Sequence, residues 1–234
     1  MKNSGMISLS VLLVTTLACS SVSSFIATPT PVPTSTPLPT FTPVPSPTSE
    51  SLLFEEITFS RAGCFDVEST SDVKRYEESG QFHMDVLTPG LLAWSLCENH
   101  PFADFVMEVD ATQVEGVDDN GYGMVFRYTD GSDEYYVFAI SGDGFYVFAF
   151  DGVKMDSPEI LLDWTESSAI NRGTQTNHLK VVAVGGKFQL YVNDQFLNEV
   201  QDARISSGTV GFFVLSSDAG GSHISFDNLK VSAP

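Results

Sequence analysis

Three groups of residues in this chain have the types and spacing to do chemistry. Glu108 and Asp110 stand two apart within an alternating apolar run, Phe105 to Val114. On an extended strand their carboxylates share a face, as an acid–base site for glycoside hydrolysis or lysis requires, though two solvated strand carboxylates read the same way. Arg127 precedes segments rich in aromatic residues, among them Tyr135, Tyr146 and Phe148. Aromatic rings stack on the C–H faces of sugars while a guanidinium bonds their hydroxyls, so these four are candidate ligand-binding residues for carbohydrate. Asp118-Asp119-Asn120-Gly121 is an acidic turn, and Asp227 is a further carboxylate near the C-terminus. Calcium takes such oxygens, but adjacent acids lack the alternating spacing of an EF-hand loop, so no cofactor is required and calcium is the one metal to consider. Asp227 reads equally as a hydrogen-bonding partner of a neighbouring strand. His83, His100, His178 and His223 are scattered, with no H-E-x-x-H, G-x-S-x-G or P-loop pattern.

The elements that must position these residues are strands. From Leu52 onward apolar residues alternate with period two, and the segments end at turn dipeptides such as Asp130-Gly131, Asp151-Gly152, Gly185-Gly186 and Asn193-Asp194. The clearest strands are 81–86, 105–114, 122–128, 134–141, 145–150, 178–184, 187–192, 195–200, 209–215 and 223–231. Successive antiparallel hairpins of this kind predict an all-β, two-sheet sandwich or jelly roll. A charged residue should not be buried unpaired, so Arg127 is expected to point away from the core. That choice turns Tyr122, Met124, Phe126 and Tyr128 inward, with Tyr136, Phe138 and Ile140 beside them, and leaves Tyr135, Val137 and Ala139 outside. In the next strand it puts Phe145, Val147 and Ala149 inside and Tyr146, Phe148 and Phe150 outside. An aromatic outer face beside one Arg needs a ligand or a cover, and the segment 154–172 with Trp164 is the available cover.

Composition divides the chain. Lys2 opens a short positive region, Met6 to Leu17 is uncharged, and Thr16-Leu17-Ala18-Cys19 resembles a bacterial lipobox. Residues 1–18 are therefore expected to be a lipoprotein signal peptide and Cys19 a lipidated N-terminus, anchoring the protein outside the cytoplasmic membrane by lipid alone. Thr28 to Thr48 holds eight of the 12 prolines and seven threonines without a charge. Residues 19–51 thus read as a disordered, extended linker, reaching roughly 65 Å across that stretch at ~3.1 Å per residue. The remaining 52–234 forms one domain. With 11 Lys plus Arg against 30 Asp plus Glu, and Lys2 and Glu50 cancelling outside it, the domain carries the whole net charge of −19. Such a field excludes nucleic acid and anionic lipid surfaces as partners. Cys64 and Cys97 remain, and in an oxidising compartment they pair as a disulfide or stay as two buried thiols.

Phe102-Ala-Asp-Phe-Val-Met-Glu-Val-Asp110, Asp119-Asn-Gly-Tyr-Gly-Met-Val-Phe-Arg-Tyr128, Tyr135-Tyr-Val-Phe-Ala-Ile140, Leu190-Tyr-Val-Asn193 and Ile224-Ser-Phe-Asp-Asn-Leu-Lys-Val231 resemble concanavalin A-like, laminin-G-like jelly rolls. Among these they are most similar to the 3-keto-disaccharide hydrolase domain, also described as family 16 glycoside hydrolase-like. The resemblance implies a sandwich that hosts lectins, hydrolases and adhesion modules alike. The family 16 signature Glu-x-Asp-x-x-Glu finds its nearest match at Glu108-Val-Asp110-Ala-Thr-Gln113, where the last carboxylate is replaced by an amide that cannot protonate a leaving group. The leading expectation is a surface-displayed module binding carbohydrate or cell-surface polysaccharide. A 3-keto-glycoside hydrolase or lyase using Glu108 and Asp110 comes second, and a non-catalytic interaction module third.

Overall fold

The computed structural model describes residues 51–56, 59, 63–152 and 157–234; the expectations for 1–18, for Cys19 and for the linker up to residue 50 lie outside them. Every regular element among the described residues is a strand. They are β1 (Leu52–Glu56), β2 (Val73–Glu78), β3 (Gln81–Val86), β4 (Leu92–Leu96), β5 (Phe105–Glu115), β6 (Gly121–Thr129) and β7 (Glu134–Ser141). After these come β8 (Phe145–Asp151), β9 (Glu159–Glu166), β10 (Asn177–Val184), β11 (Lys187–Val192), β12 (Gln195–Gln201), β13 (Thr209–Leu215) and β14 (Ser222–Ser232). All ten strands expected from alternation are present, with ends displaced by no more than one residue. The four that the alternation leaves out are β1, β2, β4 and β9. Of these β2 is mostly polar, and β9 lies in the segment expected to be a covering loop.

The strands form two antiparallel sheets, one ordered β12-β11-β10-β5-β14-β3-β2 with β1 also paired to β14, the other β4-β13-β6-β7-β8-β9. This is the concanavalin A-like sandwich. The inner faces meet in a core dominated by rings, because alternating Phe and Tyr on β3, β6, β7, β8, β13 and β14 all present to the same interior. Phe212 of β13 stacks on Phe226 of β14 at 4.2 Å, and Phe126, Tyr136, Phe148 and Phe188 form a second ring cluster. Cys64 and Cys97 are joined as a disulfide that pins the segment before β2 to the end of β4, where Phe65 bridges Cys97. Closing a loop of 33 residues stabilises the fold by about 3–4 kcal/mol in the chain-entropy picture. At the same corner Arg75 of β2 crosses between the sheets and donates from Nε and Nη2 to the Trp94 carbonyl of edge strand β4, at 3.2 and 2.9 Å.

Candidate functional site

Arg127 does not reach the outer face. Its φ is +52°, and the pairing of β6 with both β7 and β13 slips at this point, so a bulge resets the alternation. The guanidinium turns inward with no exposure, and Tyr128 turns out instead of in. The charge is tolerated because three backbone carbonyls and one carboxylate meet it: Ala103 O at 2.8 and 3.2 Å, Gly185 O at 2.7 Å, Ile205 O at 2.8 Å and Asp104 Oδ1 at 3.7 Å, with the Phe188 ring 5.1 Å away. The bulge backbone presses on Gly208, where a Cβ would stand 2.3 Å from Tyr128 O, so glycine is required there.

The faces of β8 are likewise the reverse of those expected. Tyr136 pairs with Phe150, Phe138 with Phe148 and Ile140 with Tyr146, and residues directly opposite in a ladder share a face. Tyr146 and Phe148 therefore lie in the main core, 4% and 0% exposed, while Val147 and Ala149 turn outward. Of the four expected ligand-binding residues, Tyr135 alone stands on the outer face. It is nearly buried there with Val125, Val137, Ala139, Val147 and Phe213, a thin second apolar layer over the six-stranded sheet.

Three depressions follow one another along this outer face. At the Gly121 end, one of about 270 Å³ is lined by Asp119, Ser141, Asp143, Phe145 and Trp164. The middle one, about 100 Å³, has Tyr135, Val147 and Phe213 in its floor and Trp164, Ile160 and Asp151 in its walls. At the Thr129 end, a third of about 270 Å³ is bordered by Tyr128, Glu98 and Asp130. Trp164 separates the first two. It projects from β9, which joins the sheet edge as a strand rather than folding over the face as a loop, and its indole lies against Gly121, 3.4 Å from where a Cβ would be. Trp94 and Tyr128 flank Tyr135 with ring centroids 5.6 and 6.1 Å away. The Tyr135 hydroxyl donates to Asp151 at 2.9 Å, and burial together with that carboxylate pushes its pKa well up. Each depression thus combines a ring with one or more carboxylates, and among the described residues lining them none is Lys or Arg. Sequence reasoning missed β9 and its indole, and the alternation of Ile160, Leu162 and Trp164 is the signal that could have found them.

Glu108 and Asp110 do share an outer face, but that of the other sheet, and both are engaged. His178 of β10 bonds Asp110 through Nδ1 at 2.7 Å and approaches Glu108 through Nε2 at 3.6 Å. Lys180 and Lys230 lie 3.5 and 3.8 Å from Glu108, and Asn228 donates to Asp110 at 2.8 Å. The His178 hydrogen bonds hold both carboxyl pKa values down and lift that of His178 to about 9. Carboxylates held ionised in this way are weakened as bases and carry no proton of their own to give.

The acidic residues considered for calcium are not brought together. Asp119 borders the first depression, Asp118 is tied through its backbone carbonyl to the Asp143 amide, and Asp227 lies in β14 of the opposite sheet, accepting from Gln81 at 3.1 Å. Cys64, Cys97 and His100 also cluster, but both sulfurs are consumed by the disulfide.

No family model matches the chain. Over 91 residues, 38% of this chain, it is 33% identical to a TPR repeat-containing protein of Treponema pallidum, and the match covers about a tenth of that relative, 10%. Among solved structures it is similar to the carbohydrate binding module CBM66 from Bacillus subtilis, with a TM-score of 0.57 and 18% identity over 73% of this chain and 96% of that one. A Bacillus licheniformis β-glucanase gives 0.54 and 11% over 80% and 100%. At such identities the likeness is one of fold, and it places this domain among the concanavalin A-like sandwiches.

Proposed function

We propose that the chain is a carbohydrate-binding protein displayed outside the cytoplasmic membrane, and that its ligand lies along the outer face of the six-stranded sheet. The observation that carries this reading is Trp164, 39% exposed between an apolar trough and a depression lined by two carboxylates. An indole in that position stacks on one face of a sugar ring while Asp119, Asp143 and Asp151 accept from its hydroxyls. Three depressions in succession suit an extended polymer better than a single sugar. Among the described residues their linings hold carboxylates and no Lys or Arg, which favours neutral chains over uronate or sulfated ones. The fold neighbours include a carbohydrate-binding module, which supports the reading without deciding it.

A glycan array probed with the full-length chain tests the proposal. Neutral polysaccharides should bind, with affinity nearly independent of salt because no ion pair forms. Trp164→Ala should weaken binding by about 30-fold or more, the cost of losing a tryptophan anchor worth ~2 kcal/mol. Wild-type affinity that survives Trp164→Ala, or no glycan bound at all, would sink the idea. The hydrolase reading gains nothing from the geometry, since Glu108 and Asp110 stand on the opposite sheet without a proton to donate.

A further inference from the structure

The middle depression on the outer face is lined differently from its neighbours. Val137 of β7 pairs with Ala149 of β8, and these two, with Val147 and with Phe213 of β13, make an apolar floor. Ile160 of β9 is paired across from Ala149 and forms one wall, which Trp164 continues. Because Ala149 is small between larger neighbours, a trough of about 100 Å³ is left, against about 270 Å³ for the depressions at either end. A sugar hydroxyl turned against that hydrocarbon leaves water without gaining a partner, which weakens binding. A ligand that fills the trough must therefore carry an apolar group at this point.

Size and the rim restrict that group further. Benzene fills a cavity of about 150 Å³, so a trough of about 100 Å³ is too small for a pyranose ring with its substituents and takes a group of a few heavy atoms. Asp151 borders the trough, where its carboxylate accepts from the Tyr135 hydroxyl at 2.9 Å and from the Gly152 amide at 2.8 Å. A carboxylate has about four lone-pair sites, so Asp151 retains capacity for a donor on the ligand. An acetamido group meets both conditions, with a methyl for the hydrocarbon and an N–H for the carboxylate. Trp164 lines both this trough and the first depression, so a ring stacked on the indole reaches the two together.

We propose that the middle trough is a subsite for the acetamido group of an N-acetylhexosamine in a neutral polymer. The methyl packs against Val147, Ala149 and Ile160, the N–H donates to Asp151, and the remaining hydroxyls of the ring face Asp119 and Asp143 across Trp164. This inference rests on the reading of the outer face as a glycan site and names the sugar that the face selects.

The test uses the full-length wild type and pairs of neutral glycans that differ only in acetamido against hydroxyl, among them an N-acetylglucosamine oligomer and the glucose oligomer of the same linkage. The N-acetylated member of a bound pair should bind roughly tenfold more tightly, the effect of one buried methyl and one hydrogen bond to a carboxylate. In saturation-transfer NMR its acetyl methyl should receive the most magnetisation. An O-acetylated chain, with the methyl but no N–H, should bind less tightly than the N-acetylated one. Ala149→Leu fills the trough and should bring the two members of a pair to within about twofold of each other. If that variant fails to fold, Ile160→Trp closes the trough from the exposed edge strand and is read in the same way. Equal affinities within pairs, an O-acetylated chain bound as tightly as the N-acetylated one, or a preference that survives both substitutions would overturn the acetamido subsite and leave carbohydrate binding standing. Failure to bind any glycan would remove both.

Discussion

Arg127 ties three chain segments with one guanidinium: the connection before β5 through Ala103, the β10–β11 turn through Gly185 and the segment before β13 through Ile205. Replacing it by methionine strands the buried Ile205 carbonyl and returns those of the exposed Ala103 and Gly185 to water, so Arg127→Met should cost about 1–3 kcal/mol in urea unfolding while leaving the outer face intact. A loss below about 1 kcal/mol would show that water replaces the guanidinium there. His178 is the second residue whose role follows from its partners. Folding lifts its pKa from 6.5 to about 9, so its stabilisation is complete below pH 6.5 and is lost as pH rises through 9. Glu108 and Asp110, with lowered pKa values, contribute fully above their ordinary 4.5 and 3.8 and lose that contribution in stronger acid. The urea midpoint should therefore decline between about pH 6.5 and 9.5, and the decline should flatten in His178→Gln. Neither role was legible in the sequence. The carbonyls that accept from Arg127 come from positions 103, 185 and 205, and a rule that keeps charge outside cannot anticipate backbone partners so distant along the chain.

At the scale of elements, most of the fold was legible and the orientation of one hairpin was not. Strand ends followed directly from period-two alternation and turn dipeptides, because each strand buries one face or both. The β7–β8 hairpin is symmetric about Asp143, which puts even-numbered residues opposite even-numbered ones. The bulkier set Tyr146, Phe148 and Phe150 then fills the interior with Tyr136 and Phe138, and the smaller Val147 and Ala149 face out. Starting from a charge rather than from that turn gave β8 the wrong parity. The sequence offers the segment around Trp164 as one possible cover, yet β9 pairs with β8 and holds the indole at the surface against Gly121. Gly121→Val should push the ring from its seat, shifting tryptophan emission and weakening glycan binding with little loss of stability. Unchanged emission and affinity would mean that the indole is positioned by something other than this contact.

For the molecule as a whole, the proposed display depends on residues outside the described structure. Labelled palmitate should enter the wild type and be absent from Cys19→Ala, and an unlabelled wild type released into the medium would remove the anchor from the proposal. The folded domain is consistent with an oxidising destination, since Cys64 and Cys97 are joined. The −19 charge, legible from composition, has its structural counterpart in depressions whose described linings present carboxylates and no Lys or Arg.

Two open sheets leave unpaired backbone at their edges, a standing invitation to strand addition between copies. The two edges of the six-stranded sheet resist it. The Trp94 carbonyl of β4 is already taken by Arg75, and β9 carries Glu159, Asp163 and Glu166 along its length. Domains displayed as proposed would then stay unfused along that sheet, each a separate hand on the same rope, and any layer of them would gain its cohesion from the shared polymer rather than from one another.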